Sequence, residues 1–267
     1  MSRRPALAAI ALALSASAPA EEPAIRLYAA GSLRAVMTEL ARDYAASGGS
    51  PVEATFGASG LLRERLAKGE RAEVFASADV DNAQALARAG GWRAPVVFVR
   101  NRLCALVAAG VDATTESLLD RMLDPRIKLA TSTPKADPSG DYAWQVFEKA
   151  EGLRPGAFAK LDAKALKLTG GPDSPPPPAS GSAYGAMVAA GKADVFLTYC
   201  TNAVQAAREV PGARSLALPP ALDVGASYAM TVAIDARPAA LGFAWYVLSI
   251  PGQRTFARHG FSPAALP

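Results

Sequence analysis

Between residues 25 and 91 one pattern recurs three times: a short apolar run, a few small residues, a stretch with helical spacing, and a closing glycine. Residues 25–30 lead into 33–46, where Leu33, Val36, Met37, Leu40, Ala41 and Tyr44 recur at helical intervals before Gly48 and Gly49. Residues 52–56 lead into 60–68 and Gly69, and "AEVFASAD" leads into "VDNAQALARAGG". Short apolar runs bounded by turn residues predict strands, and the 3.6-residue period predicts helices. Their alternation predicts an α/β fold whose mixed, mostly parallel sheets are flanked by helices.

The rest of the chain keeps this style. "PVVFVRNRLCALVA", "RIKLATST", "ADVFLTY" and "DVGASYAMTVAI" read as strands, and "PSGDYAWQVFEKA" and "SGSAYGAMVAAG" as helices. "RPAALGFAWYVLSIPGQRTFARHG" reads as a helix that Pro251 splits in two, because proline lacks the N–H and clashes with the preceding turn. Pro175–Pro178 favour an extended segment without internal hydrogen bonds and read as a surface excursion. The chain resolves into two similar α/β halves, joined by crossings near residues 98–103 and 222–228.

Residues 1–20 have the order of a secretory leader: Arg3 and Arg4, an apolar run over 6–14 too short to span a bilayer, and Ala18-Pro19-Ala20 as a cleavage site. The expected mature chain starts near Glu21 and is periplasmic; no cysteine follows the leader, so no lipid anchor is expected. Loss of Arg3 and Arg4 takes the net charge from +4 to +2, without the clustered basic residues of a nucleic-acid surface. Two cysteines and one histidine exclude a poly-histidine or four-cysteine metal site. His259, beside Gly260, reads as a helix C-terminal residue rather than a catalytic base. In an oxidising compartment Cys104 and Cys200 can pair; from sequence a disulfide and two buried thiols both stay open.

Four helix starts carry small or hydroxyl residues: Gly31-Ser32, Ala58-Ser59-Gly60, Ser139-Gly140 and Ser182-Ala183. Each alone reads as an ordinary N-cap. As a set they suit an anion, because the first-turn N–H groups have no intrahelical partners and sit at the positive end of the helix dipole. In open α/β sheets such ligands bind at the carboxyl ends of strands.

"YAAGSL", "FGASGLL", "AEVFASAD", "DPSGDYA" and "GKADVFLTY", in this order, together with the late "ARHGFSP", resemble the periplasmic molybdate-binding proteins of ABC transporters. The resemblance implies a two-lobed type II periplasmic-binding fold, with lobe I formed by 21–100 and 225–267, lobe II by 101–224, and the ligand cleft between them. It implies anion contacts from the hydroxyls and N–H groups of Ser32 and Ser59, from the N–H at Ser139 and near Ala183, and from the Tyr199 hydroxyl. It implies a monomer that hands molybdate or tungstate to a membrane permease and its ATPase, with no catalysis, no cofactor and no direct protein–metal ligand. Two features depart from the family pattern: Ser139 stands where many members have alanine, and Tyr199 is followed by Cys200-Thr201-Asn202.

Neutral donors suffice for a buried dianion, since each bond to a charged acceptor contributes about 1.5–3 kcal/mol. A site of donors only would hold molybdate and tungstate alike and sulfate, with its shorter bonds, more weakly. It would hold hydrogen phosphate least, because the phosphate proton needs an acceptor. Other readings fit less well. Sulfate or phosphate would use the same fold. An iron receptor would want adjacent tyrosines, which this chain lacks. An exported hydrolase would want a base beside Ser32 or Ser59, and Gly57-Ala58-Ser59-Gly60 is not a nucleophile elbow.

Overall fold

The computed structural model describes residues 23–178 and 180–264, so the leader expected over 1–20 lies outside the described residues. The first apolar run is β1 (Ile25–Ala30), which passes through a 3-10 turn at Gly31–Leu33 into α1 (Arg34–Ala46). α1 buries Val36, Met37 and Leu40, the stripe that its spacing marks. β2 (Val52–Gly57) leads into α2 (Ser59–Ala67), and β3 (Val74–Ser77) into α3 (Asp81–Ala89). Gly48 and Gly69 close α1 and α2 at φ of 92° and 96°, a region open to glycine and costly to side chains.

The twelve-residue β4 (Val96–Val107) follows, then α4 (Leu118–Leu123), β5 (Leu129–Ser132), α5 (Pro138–Leu153), α6 (Ala157–Lys164) and β6 (Leu166–Thr169). Next come α7 (Ala183–Ala189), β7 (Val195–Tyr199), α8 (Cys200–Glu209) and β8 (Arg214–Ala217). The chain closes with β9 (Gly225–Val232), α9 (Pro238–Leu248), α10 (Ile250–Arg258) and β10 (Ser262–Pro263). The break falls where Pro251 sets it: Ser249 caps α10 by accepting the Gly252 N–H, and Pro251 occupies the first turn. The sequence pattern gives no sign of α4, α6, α8, β6 or β8. α4, α6, β6 and β8 are short, and α8 follows Tyr199 with no turn residue between.

The strands run in the order β2-β1-β3-β9-β4-β7-β5-β6, with β8 and β10 paired to β4. The long β4 belongs to two pairing groups. Its residues 96–102 pair with β9, and 103–107 pair with β7. The sheet is more mixed than the mostly parallel one expected. β1 runs parallel to β2 and β3, and β5 to β6 and β7, whereas every pairing of β4 and β9 is antiparallel. The parallel pairs are built by strand–helix–strand crossovers. β4 and β9 instead carry the chain directly from one group to the other, so they run against their neighbours.

Apolar side chains from both groups are buried around this junction, including Leu27, Phe98, Leu103, Phe147, Leu197 and Phe256. Tyr228 and Tyr199 pack at 5.4 Å between ring centroids, and Phe98 and Tyr142 extend the stack on either side. Cys104 and Cys200 form a disulfide with Cα atoms 4.7 Å apart. Cys200 opens α8 rather than lying on a strand; it stands two residues past Thr198, which faces Cys104 across the β4–β7 pair.

Glu73 is buried and receives Arg237 Nε at 2.8 Å, a second guanidinium nitrogen at 2.7 Å and the Arg26 N–H at 3.2 Å. Chiefly the Arg237 bonds hold its carboxyl below the usual range. Glu73→Ala is expected to lower unfolding free energy by about 1–3 kcal/mol in urea titration, since it removes the charged acceptor of the Arg237 guanidinium and of the Arg26 N–H. Because the folded carboxyl is depressed, this contribution is complete above the ordinary carboxylate range and fades as the pH falls through the folded value. An unchanged urea midpoint would contradict it.

Candidate functional site

The carboxyl ends of β1, β2 and β7 converge on a chamber of 40 Å³. Ser32 reaches it from the 3-10 turn after β1, Ser59 from the first turn of α2, and Tyr199 from the last residue of β7. This is the end of the sheet at which parallel strands present their loops and helix N-termini. Ala58, Ala78 and Gly57 complete the wall with small residues, which lets a ligand approach the backbone.

The serines are not N-caps as their sequence context suggests. Ala58 caps α2 and Leu33 precedes α1, and neither cap makes a side-chain hydrogen bond. The Ser59 hydroxyl, 1% exposed, accepts the Ala78 N–H at 3.1 Å, so its own hydrogen is left to donate. The half-buried Ser32 hydroxyl lies 3.0 Å from the Tyr228 hydroxyl. Tyr199 is buried to 1%, and its hydroxyl lies 3.5 Å from the Ala78 carbonyl. Burial pushes the phenols of Tyr199 and Tyr228 well above their ordinary value, so both stay protonated donors at neutral pH.

The other two expected contacts sit differently. Ser139 does not line the chamber. It is fully buried, its N–H is donated to the Asp137 carboxylate at 3.0 Å, and its hydroxyl has no partner among the described residues. The cap of α5 is therefore Asp137, with Pro138 in the first turn. Ala183 follows the Ser182 cap of α7 and lines a second chamber, of 450 Å³, that shares Gly31, Ser32, Gly57, Ala58, Asp137 and Tyr184 with the first. Of the four helix starts, Ser182 alone is a serine cap: its hydroxyl accepts the Gly185 N–H at 3.2 Å. Pro175–Pro178, expected as a surface excursion, form part of the wall of this outer chamber.

The sequence pattern does not point to Asp137, Tyr184 or Tyr228. Asp137 stands in the inner wall beside the donors, so the chamber is not made of donors alone. Burial, above all, raises its carboxyl to about 6, and the charges of Asp141 and Asp79 add to this; the Ser139 N–H and the Ser132 hydroxyl act against it. Asp before Pro is a legible helix start, but nothing local says that its side chain meets Ser32 and Ser59. Arg34 lines the outer chamber with its guanidinium 4.7 Å from the centre of the Phe56 ring.

The arrangement provides hydrogen bonds rather than a reacting pair. His259 closes α10, and its ring nitrogen lies 2.6 Å from Glu39 on α1, engaged there rather than with Ser32 or Ser59. Among the described residues, no group of three or more His, Cys, Asp or Glu side chains is placed to hold a metal ion. No helix among them is long and apolar enough to cross a membrane.

The chain matches the family model for bacterial extracellular solute-binding proteins over residues 25–262. It is 33% identical over 241 residues to protein PM1146 of Pasteurella multocida, covering 90% of this chain and 99% of that one. It is 27% identical over 263 residues to the molybdate-binding protein ModA of Mycobacterium tuberculosis, covering 94% and 92%. The sulfate-binding protein SubI of Mycobacterium tuberculosis shares the fold with a TM-score of 0.73 at 20% identity, over 90% of this chain and 87% of that one.

Proposed function

Because the chain belongs to the bacterial extracellular solute-binding proteins, a family of binding proteins rather than enzymes, we propose that it captures a tetrahedral oxyanion for an ABC importer. In this reading residues 21–100 with 225–267 form one lobe, 101–224 form the other, and the ligand lies in the chamber between them. Residues 1–20 direct export, the protein acts as a periplasmic monomer, and a membrane permease with its ATPase receives the ligand.

One observation carries the proposal. Ser32, Ser59 and Tyr199 line one small chamber at strand ends, and neither serine is consumed by helix capping. Three uncharged donors beside helix N-termini match what a buried anion needs to replace its hydration. Molybdate stands first because of ModA, a relative with a named ligand that matches over nearly the whole chain. Tungstate, of nearly the same size, goes with it. SubI keeps sulfate as the second reading. A hydrolase is not favoured, since each serine hydroxyl faces a phenol or a backbone N–H rather than a base.

Isothermal titration of the mature protein against molybdate, tungstate, sulfate and phosphate tests this. Ser32→Ala and Ser59→Ala are each expected to weaken binding of the preferred anion by about 1.5–3 kcal/mol, one charge-assisted bond apiece. Their effects on stability are expected to differ. Ser59→Ala strips the acceptor from the Ala78 N–H and lowers the melting temperature, whereas Ser32→Ala leaves the Tyr228 phenol its interactions with Asn101 and Tyr199 and changes it less. A double variant that binds as tightly as the parent would remove both serines from the site.

A further inference from the structure

Asp137 lines the inner chamber together with Ser32, Ser59 and Tyr199, and it lines the outer chamber as well. As a helix cap it uses Oδ1, which accepts the Ser139 N–H at 3.0 Å. The nearby Ser132 hydroxyl favours the charged form of the carboxyl. Oδ2 lies against Gly170, another residue of the outer wall. A carboxylate has about four acceptor positions, so capping leaves some of them unused in a residue of the chamber wall.

A dianion bound to Ser32 and Ser59 would meet this carboxylate across a chamber of 40 Å³. Two unprotonated acceptors at such range repel, and a single proton between them turns the contact into a hydrogen bond. We propose that Asp137 is a ligand contact that shares one proton with the bound oxyanion, and that this proton requirement ranks the ligands. The inference rests on the oxyanion reading of the same chamber.

Two ligand classes follow from the proton's origin. Hydrogen phosphate and hydrogen arsenate bring a hydroxyl of their own, which donates to the ionised Asp137. Molybdate, tungstate and sulfate bring none at neutral pH, so Asp137 must itself be protonated and donate to a ligand oxygen. The first class binds the form of the protein that prevails at neutral and alkaline pH. The second binds only the protonated fraction. The donors-only ranking, with phosphate last, is thereby revised.

The surroundings of Asp137 favour a carboxyl that takes up a proton readily. Asp141 on α5 and Asp79, ahead of α3, add negative charge. The Tyr184 and Tyr199 phenols face it as neutral groups. Arg34 stands in the outer chamber over Phe56, and the positive charge of Lys135 acts on Asp141. With the carboxyl raised to about 6 in the free site, protonation by ligand binding lies within reach at neutral pH. The sign follows: a ligand that binds the protonated form loses affinity as the pH rises above that value.

The test is titration of the mature protein with sodium molybdate and with inorganic phosphate between about pH 6.5 and about pH 8.5, for the parent and for Asp137→Asn. Asparagine is as good an N-cap as aspartate, so the variant keeps the start of α5, and its melting temperature checks this. In the parent, the molybdate dissociation constant is expected to rise about tenfold per pH unit. In Asp137→Asn it is expected to stay flat. Phosphate affinity of the parent is expected to change by less than about threefold over its alkaline half, where one proton remains on the ligand. A flat molybdate profile in the parent, or an equal slope in parent and variant, overturns the proton-sharing role and leaves the oxyanion reading standing. Absence of binding by both anions at every pH overturns both.

Discussion

Replacement of Cys104 and Cys200 by serine is expected to lower the unfolding free energy by about 2–5 kcal/mol, among the largest losses available from two substitutions in this chain. The bond closes a loop over a sequence separation of 96. In the chain-entropy account, a loop of about 100 residues restrains the unfolded ensemble by about 4.7 kcal/mol, and measured values commonly fall below that figure. Its location makes the loss local as well as global. Cys104 lies on the half of β4 that pairs with β7, and Cys200 follows directly on Tyr199. The bond therefore ties the start of α8 to β4 beside the tyrosine that lines the chamber. Cys104 is 6% exposed, so reductant acts on the folded protein slowly, and the paired serine variant is the cleaner comparison. Urea unfolding with coincident midpoints for the variant and the oxidised parent would refute the expectation.

The second large effect concerns Gly60, the residue after Ser59. A Cβ there would lie 2.4 Å from the Lys135 carbonyl oxygen and 2.6 Å from that of Ala136. The Gly60 N–H donates to the same Ala136 carbonyl at 2.9 Å. Glycine is needed here for close approach of two backbones. The opposing loop cannot yield easily: Lys135 holds φ of 68°, a left-handed conformation uncommon outside glycine, and its N–H donates to Asp141 at 2.8 Å. Gly60→Ala is expected to hold the β2–α2 end and the β5–α5 end apart and to weaken oxyanion binding by about a hundredfold, or about 2.7 kcal/mol. The melting temperature without ligand should change less, because the contact joins two backbone segments rather than apolar side chains of the core. Calorimetric titration reads the affinity, and small-angle scattering with saturating ligand reads the separation. Parent-like affinity would show that the two backbones need not meet for binding.

Much of this molecule was legible in the order of its residues. The stripe of α1, the strands at Ile25–Ala30 and Val195–Tyr199, and the break at Pro251 each follow from local rules: period, bounding glycines, and proline's missing N–H. Ser32 and Ser59 were locatable because a strand, a small residue and a helix start occur together in a few consecutive positions. α8 was not legible, since β7 passes into it without a turn residue.

The sequence by itself determined the alternation of strands and helices, the places where helix N-termini begin, and the supply of uncharged donors there, because these depend on neighbours within a turn or two. Only the tertiary structure decided which of those positions face one another. Strand order sets β5 beside β7, and the long β4 joins the two pairing groups; together they bring Asp137 into the wall that holds Ser32, Ser59 and Tyr199. They likewise turn Ser139 inward, where its N–H serves its own helix cap. Whether a helix-start group meets a ligand, a cap or the core depends on contacts between residues far apart in the chain. No local pattern records such contacts, and their burial is what sets the charge that Asp137 carries.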